Sequence, residues 1–397
     1  MTTVAHIPSY GPDLFGDAAL TSPYEHYRAL RELGPVVRLE VQGKYALPRY
    51  AECRAVLADD ATYLSSEGVA LNEVVNAAMR GGTIGSDGEV HARRRRTVAH
   101  RLTPRALRPI KTLVQEQADA LVAGLVRQQS FDAVTELAQA LPLSVVPEFA
   151  GLPLDARGQM LEWASAQFNA MGPMNERCKA ALPKSVEMTE YAAAVTASGN
   201  VTPGSLADDV VTAARRGEVT EQEAVRLMLA YIAPSLDTTI SAIGSAIWLF
   251  ASHPDQWQLL RGNPSLIPNA VNEVIRLESP IRVVGRRVGT PTSLAGFELM
   301  ADEQVVILFG SANRDELEWD RADAFDITRD ASRQLGFGYG VHGCAGQGLA
   351  RIEIEALFSS LASHVTRFVL TDEPVRMVNN TIWAFERMPV RLETGEG

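Results

Sequence analysis

Apolar positions alternate only briefly near the start of the chain. "PVVRLEVQGKYALPRY" has two such runs on either side of Gly43, the pattern of two short strands and a turn. From Thr103 to Ser198 the spacing lengthens to three and four residues, which predicts helices broken at Pro142, Pro147, Pro153 and Pro173. The longest periodic stretch is "TEQEAVRLMLAYIAPSLDTTISAIGSAIWLFASHP". Thr220 and Glu223 stand at capping-box spacing at its start, and Pro254 closes it. Residues 221–252 predict a rod about 48 Å long at about 1.5 Å per residue. It is apolar nearly all round, so it should run through the core. Short strands are expected around Val283–Val288 and Gln304–Leu308, a final helix from about Gly346, and a hairpin in "PVRMVNNTIWAFERMPVRL". The fold class expected is mainly α. A small β-rich lobe falls mainly about 35–60 and 280–310, and no repeat or linker divides residues 1–397 into separate domains.

Composition narrows the function classes. The chain is 46% hydrophobic and 21% charged, ordinary for a globular protein with a large core. Acidic residues outnumber basic ones, 48 to 37, which argues against a nucleic-acid binder. Cys53, Cys178 and Cys344 are odd in number and far apart, so no disulfide framework is expected, and a reducing cytoplasm is. "MTTVAHIPSYGPDLFG" lacks the basic start and apolar run of a signal peptide. The best charge-free apolar run, Thr238–Ser252, falls short of the roughly 18 residues a membrane span needs.

Cys344 sits in "LGFGYGVHGCAGQGLA". Glycines let the backbone approach a neighbour closely and take positive φ. The N–H groups of Gly346 and its neighbours, with the start of the following helix, can favour a thiolate. A lone cysteine is more often an inert core residue. Here the order Phe337-Gly338-x-Gly340-x-His342-x-Cys344-x-Gly346 resembles the haem-binding loop of the cytochrome P-450 superfamily. The resemblance implies that Cys344 is the iron ligand of haem b, with Phe337, Gly338 and Gly346 shaping the loop around it.

Other segments carry the same resemblance. Glu273-Val-Ile-Arg276, 71 residues before Cys344, is similar to the family's Glu-x-x-Arg, with Arg329 in "AFDITRD" as a third partner. "SDGEVHARRRRTV" is similar to the segment whose histidine and arginine hold haem propionates, here His91 and Arg95. Arg93, Arg94 and Arg96 read as a solvated run. Arg286, six residues after Pro280, and His342 complete the implied propionate set. "APSLDTT" carries the acid–alcohol pair Asp237–Thr238, which the resemblance makes the proton relay above the iron. Pro234 and Ser235 replace the usual alanine and glycine. A kink is expected at the proline, and Ser235 offers a further hydroxyl to the relay.

The implied reaction is monooxygenation. One oxygen atom of O2 enters a small organic substrate, and a ferredoxin and its reductase supply electrons. "FNAMGPMNE", "GSANRD" and "NNTIWAFERMPVRL" look most like bacterial enzymes that hydroxylate or O-demethylate small para-substituted aromatics. Phe168, Met171, Pro234, Val283, Val284 and Phe385 are the expected substrate contacts. Those relatives hold a benzoate carboxylate with side chains that Glu67 and Leu229–Ala230 replace here. The expected substrate is therefore neutral or phenolic, unless Arg282, two residues before Val284 and expected on its face, serves as the anchor. Three alternatives stay open: a haem-thiolate enzyme acting on a larger natural product, a non-catalytic haem-binding protein, and a cysteine-nucleophile hydrolase.

Overall fold

The computed structural model describes residues 6–395. Residues 1–5 and 396–397 of the expected 1–397 domain lie outside the described residues, as does the start of the N-terminal segment read above for a signal.

The alternation around Gly43 forms a hairpin. Val37–Leu39 pairs antiparallel with Lys44–Leu47, and Gly43 takes φ 64° in the turn. Only glycine enters that region without steric cost. A third strand, Gln304–Leu308, adds parallel to Lys44–Leu47, and Val283–Val288 runs antiparallel to it. Ser9–Tyr10 and Tyr63–Leu64 occupy the two edges of this six-stranded sheet. The two later strands fall where the sequence reading places them. Gly68 and Gly285 pack backbone to backbone, since a Cβ on Gly68 would lie 2.3 Å from the Arg287 nitrogen and one on Gly285 2.3 Å from the Gly68 oxygen. The loop after Tyr63–Leu64 is thereby pressed onto the strand that carries Val284 and Arg286.

Helices supply the larger core. Ile110–Gln128, Ala140–Ala150, Arg157–Ala170, Glu176–Ser198, Ala233–Ser252, Ile267–Leu277 and Gln347–His364 surround it. Ala233–Ser252 runs through it, with Leu236, Ile243, Ile247 and Phe250 buried. The stretch Glu221–Ser252 is long and apolar enough to cross a membrane, but 72% of its most apolar window is buried inside the protein.

The expected single rod is in fact two helices. Glu221–Leu229 opens with the capping box: Thr220 Oγ1 accepts from the Glu223 N–H at 3.1 Å, and Glu223 accepts from the Thr220 N–H at 2.9 Å. The chain then tightens through Ala230–Ile232, whose N–H groups donate to carbonyls three residues back. Ala233–Ser252 follows. Pro234 causes the break, because it has no N–H for the Ala230 carbonyl and its ring crowds that group. The Ser235 hydroxyl donates to the Tyr231 carbonyl at 2.8 Å, so the break consumes the donor expected to extend the relay.

Two further expectations need correction. Pro142 and Pro147 do not interrupt a helix but lie inside Ala140–Ala150. Pro142 sits in the first turn, where an N–H has no partner to lose. The C-terminal segment is not one hairpin. Val375–Arg376 pairs with Phe385–Arg387, while Pro389–Thr394 leaves to join Val365–Leu370 and Ser130–Asp132 in a separate sheet.

Candidate haem-thiolate site

The cysteine loop is held by its own backbone. The Cys344 N–H donates to the Phe337 carbonyl at 2.7 Å, and Gly338 N–H to Leu335 at 2.7 Å. Gly338 and Gly340 take φ of 72° and 70°. A Cβ on Gly340 would also lie 2.3 Å from the Leu57 carbonyl oxygen, so two constraints demand glycine there. Arg351 lies over the Phe337 ring at 4.9 Å, and the helix Gln347–His364 begins one residue after Gly346. Cys344 is exposed, while Cys53 and Cys178 are buried. Its thiol faces open space yet lies deep enough that desolvation raises its pKa. The N–H groups of Gly346 and Gln347, with Arg95 and Arg351, act in the opposite sense and favour the thiolate.

Beside the loop lies a concentration of cationic groups. His91 and Arg95 come from the helix Gly88–Ala99, Arg286 from the strand Val283–Val288, and His342 from the loop itself. The His91 and His342 rings are 4.1 Å apart, and neither Nε2 has a hydrogen-bond partner. Arg95 donates to the Gly343 carbonyl. Arg286 is buried, donates to its neighbour Gly285 at 2.7 Å, and is pushed down to about 10 by desolvation. His91 is pushed down to about 4, by desolvation first and then by His342 and Arg95. The nearest carboxylate, Asp87, is 3.6 Å from His342 and already accepts from the Ser65 and Ser66 N–H groups. Desolvation raises its pKa, but His342 first, then Ser66 and Ser65, outweigh that and bring it down to about 2.

Four buried or half-buried donors with so little matching negative charge fit a missing dianion, such as the two propionates of haem. Among the described residues no cluster of three His, Cys, Asp or Glu could hold a metal.

The broken helix pair carries the acid–alcohol residues. Asp237 is buried with Oδ2 unpartnered, and desolvation pushes its pKa to about 7. Thr238 Oγ1 donates to the Pro234 carbonyl at 2.8 Å, which leaves its lone pairs free. Pro234 is exposed between fully buried Ala233 and Leu236, and so borders open space.

Glu273 and Arg276 form a bidentate pair at 2.7 and 2.9 Å with no exposure on either side, and Arg329 reaches Glu273 at 3.2 Å. Arg276 also donates to the Asn313 and Ala322 carbonyls at 2.7 Å each, so the trio ties a core helix to the segment before the cysteine loop.

The expected substrate residues divide. Phe168, Met171 and Val284 meet in one apolar cluster with Val69, Ile382 and Ala384. Val283, on the opposite face of its strand, packs instead with Leu14, Tyr27 and Leu308. Phe385 lies in the helical core beneath Arg376, whose guanidinium is 3.6 Å from its ring centroid. Arg282 does not share the face of Val284. It precedes the strand, so the two-residue period does not apply to it, and its guanidinium donates to the Asn379 and Asn380 carbonyls at 3.4 and 3.2 Å.

Sequence reasoning missed Glu278, which accepts from Tyr24 at 2.6 Å, Trp383 at 2.6 Å, Arg314 at 3.0 Å and Arg376 at 2.8 Å. It stands two residues before Pro280 without a motif, and its partners are spread over the whole chain.

Comparison with known proteins places the chain among relatives of one family. The family model described as Cytochrome P450 matches residues 169–388. A protein of Rhodopseudomonas palustris named cytochrome p450 CYP199A2 is 36% identical over 98% of this chain and 95% of its own length. The 6-deoxyerythronolide B hydroxylase of Saccharopolyspora erythraea is 29% identical over 99% of this chain and all of its own. Among solved structures, epothilone D-bound cytochrome P450epoK superposes with a TM-score of 0.87 at 26% identity, covering 97% of this chain and all of that one.

Proposed function

Because the chain belongs to the cytochrome P450 family, a haem b monooxygenase, we propose that it oxidises a small aromatic substrate by hydroxylation or O-demethylation. Bound haem supplies the activation of O2, inserting one oxygen atom and releasing the other as water.

The chain's own residues have separable tasks in this reading. Cys344 is the iron ligand, held as thiolate by the Gly346 and Gln347 N–H groups with Arg95 and Arg351. His91, Arg95, Arg286 and His342 hold the haem carboxylates, a task suited to two histidine Nε2 atoms without partners and two arginines bonded only to backbone carbonyls. Asp237, poised near neutral pH, takes up and releases protons. The Thr238 hydroxyl passes them on through its free lone pairs. Phe168, Met171 and Val284 orient the substrate and exclude water. Electrons come from a ferredoxin and its reductase.

The observation that carries the substrate class is the compact apolar cluster around Phe168, built from ordinary hydrophobic side chains with one aromatic ring. The likeness of its surrounding segments to enzymes of small para-substituted aromatics points the same way. A benzoate is disfavoured, because Arg282 is bound by backbone carbonyls and Glu67 pairs with Arg80 at 2.6 Å. The test is a screen of para-substituted phenols, anisoles and benzoates for the low-to-high-spin shift, followed by product analysis with ferredoxin and reductase. Tighter binding of macrolides than of any aromatic would overturn the assignment.

A further inference from the structure

The turn between the helices Arg157–Ala170 and Glu176–Ser198 is tied down at every residue. Phe168, in the last turn of the first helix, and Met171, just after it, belong to the apolar cluster with Val284. The last carbonyls of a helix have no partner within it. Here five successive carbonyls each find one on a remote segment. The Phe168 carbonyl accepts from the Thr381 hydroxyl at 2.7 Å, and the Asn169 carbonyl from the Asn380 amide at 2.8 Å. The Ala170 and Gly172 carbonyls accept from the Asn72 amide at 2.8 and 2.7 Å, and the Met171 carbonyl between them accepts from the Leu71 N–H at 2.8 Å. Asn72, Asn380 and Thr381 are all buried.

Asn380 makes further bonds to the same turn. Its N–H donates to Asn169 Oδ1 at 3.0 Å, and its Oδ1 accepts from Asn175 and Arg177 at 3.0 and 3.3 Å. Gly172 lets the turn lie against it. A Cβ on Gly172 would be 2.4 Å from the Asn380 Cβ, and its φ is not positive, so the demand for glycine is steric alone.

The two donor segments are themselves fixed. Gln304 donates to the Gly68 and Ala70 carbonyls at 2.7 Å each, and the Gly285 N–H to the Val69 carbonyl at 2.9 Å, which seats residues 68–70 on the six-stranded sheet. Arg282 serves the other segment. Its N–H donates to the Thr381 carbonyl at 2.9 Å, and its guanidinium to the Asn379 and Asn380 carbonyls. The same segments contribute Val69 and Ile382 to the cluster that holds Phe168 and Met171. One apolar wall is thus assembled from three stretches of chain that buried hydrogen bonds cross-link.

We infer that Asn72 and Asn380 are positioning residues that set the size of the substrate: by fixing the turn they hold Phe168 and Met171 in place and restrict the site to single-ring aromatics. This rests on the proposed small-aromatic reading. The wall cannot move outward for a wider ligand without leaving buried carbonyls unpaired, and an unpaired buried polar group is costly. A fused second ring therefore meets a surface that does not yield, and overpacking is penalised where neighbours cannot shift.

The test uses the haem-loaded protein, with 4-methoxyphenol and 6-methoxy-2-naphthol as ligands and the spin-state shift and calorimetric binding as readouts. Three variants release the turn in different ways. Asn72 also caps the helix Glu73–Met79 by accepting from the Val75 N–H at 2.9 Å. Asn72→Ser keeps a capping hydroxyl there but has no amide for the two carbonyls. Asn380→Ala removes the second donor. Gly172→Ala leaves both asparagines in the chain and pushes the turn off Asn380. Wild type should bind the phenol roughly tenfold more tightly than the naphthol, or better. Each variant should narrow that ratio severalfold, chiefly through tighter naphthol binding, and should speed hydrogen exchange at the Leu71 amide. A general loss of stability weakens both ligands alike and leaves the ratio where it was. An unchanged ratio in the variants that fold, or equal binding of the two ligands by wild type, overturns the inference alone. If neither aromatic shifts the spectrum or binds, the small-aromatic reading falls and takes this inference with it.

Discussion

Cys344 differs from the other two cysteines in what surrounds it. Cys53 donates to the Leu47 carbonyl and is held far from ionisation by burial, and Cys178 is buried against Ala170. Only Cys344 combines open space with backbone donors. Cys344→His should therefore retain haem but lose the red-shifted Soret band of the reduced carbon monoxide complex, together with turnover. Cys53→Ala and Cys178→Ala should keep both. At Thr238, removing the hydroxyl should leave substrate binding and NAD(P)H consumption intact while most reducing equivalents emerge as hydrogen peroxide. Unchanged product per electron in Thr238→Ala would give the proton-passing role to another group. These residues stood out as candidates in the sequence because the patterns that mark them lie within one loop or one turn. The pairing of Arg282 was not legible, since whether an arginine is paired is decided by carbonyls and carboxylates far along the chain.

At the scale of elements, ladders and caps were easier to read than breaks. The strands Val283–Val288 and Gln304–Leu308 and the capping box at Thr220 match their sequence patterns because short β-branched runs and cap chemistry act locally. The break at Ala230–Ile232 falls before the proline that causes it, because the lost hydrogen bond belongs to the carbonyl four residues earlier. The Glu273–Arg276–Arg329 trio was legible as a motif, but its complete burial was not. Removing one partner of a buried pair strands the other charge, at roughly 3–5 kcal/mol. Glu273→Gln should lower the urea-unfolding free energy by about that much and weaken haem retention. A loss below about 1 kcal/mol would mean that Arg276 is satisfied by the Asn313 and Ala322 carbonyls alone.

For the molecule as a whole, buried charge makes stability depend on pH. Glu353 on the helix Gln347–His364 has both oxygens unpartnered, and burial pushes it to about 8, against roughly 4.3 for an unperturbed glutamate. A carboxyl raised in the folded state contributes fully below the unfolded value, and that contribution is lost as pH rises toward the folded one. Between about pH 4 and pH 8 the wild type should lose a few kcal/mol that Glu353→Gln does not, as read by urea titration at pH 5 and pH 8. Equal slopes for the two proteins would show that Glu353 finds a partner in solution. Asp87 works in the opposite sense at the acidic end, since its carboxylate stabilises above about pH 4 and fails as pH falls toward 2. The unmatched cations near Cys344 predict a haem-free protein with a lower melting temperature, because binding only to the folded state stabilises it by mass action.

The six-stranded sheet also sets a schedule for biosynthesis. Tyr45 pairs with Val305, 260 residues later in the chain. At about 5–20 residues per second, a nascent chain waits roughly ten seconds to a minute between making one strand and making its neighbour. Throughout that interval the edge of Lys44–Leu47 has no partner on that side. The helices between residues 110 and 252 are made well before the sheet can close, though Gln347–His364 of the same core comes later still, so on the ribosome part of the helical body can form while the early hairpin waits with an open edge, a natural point for a chaperone to engage.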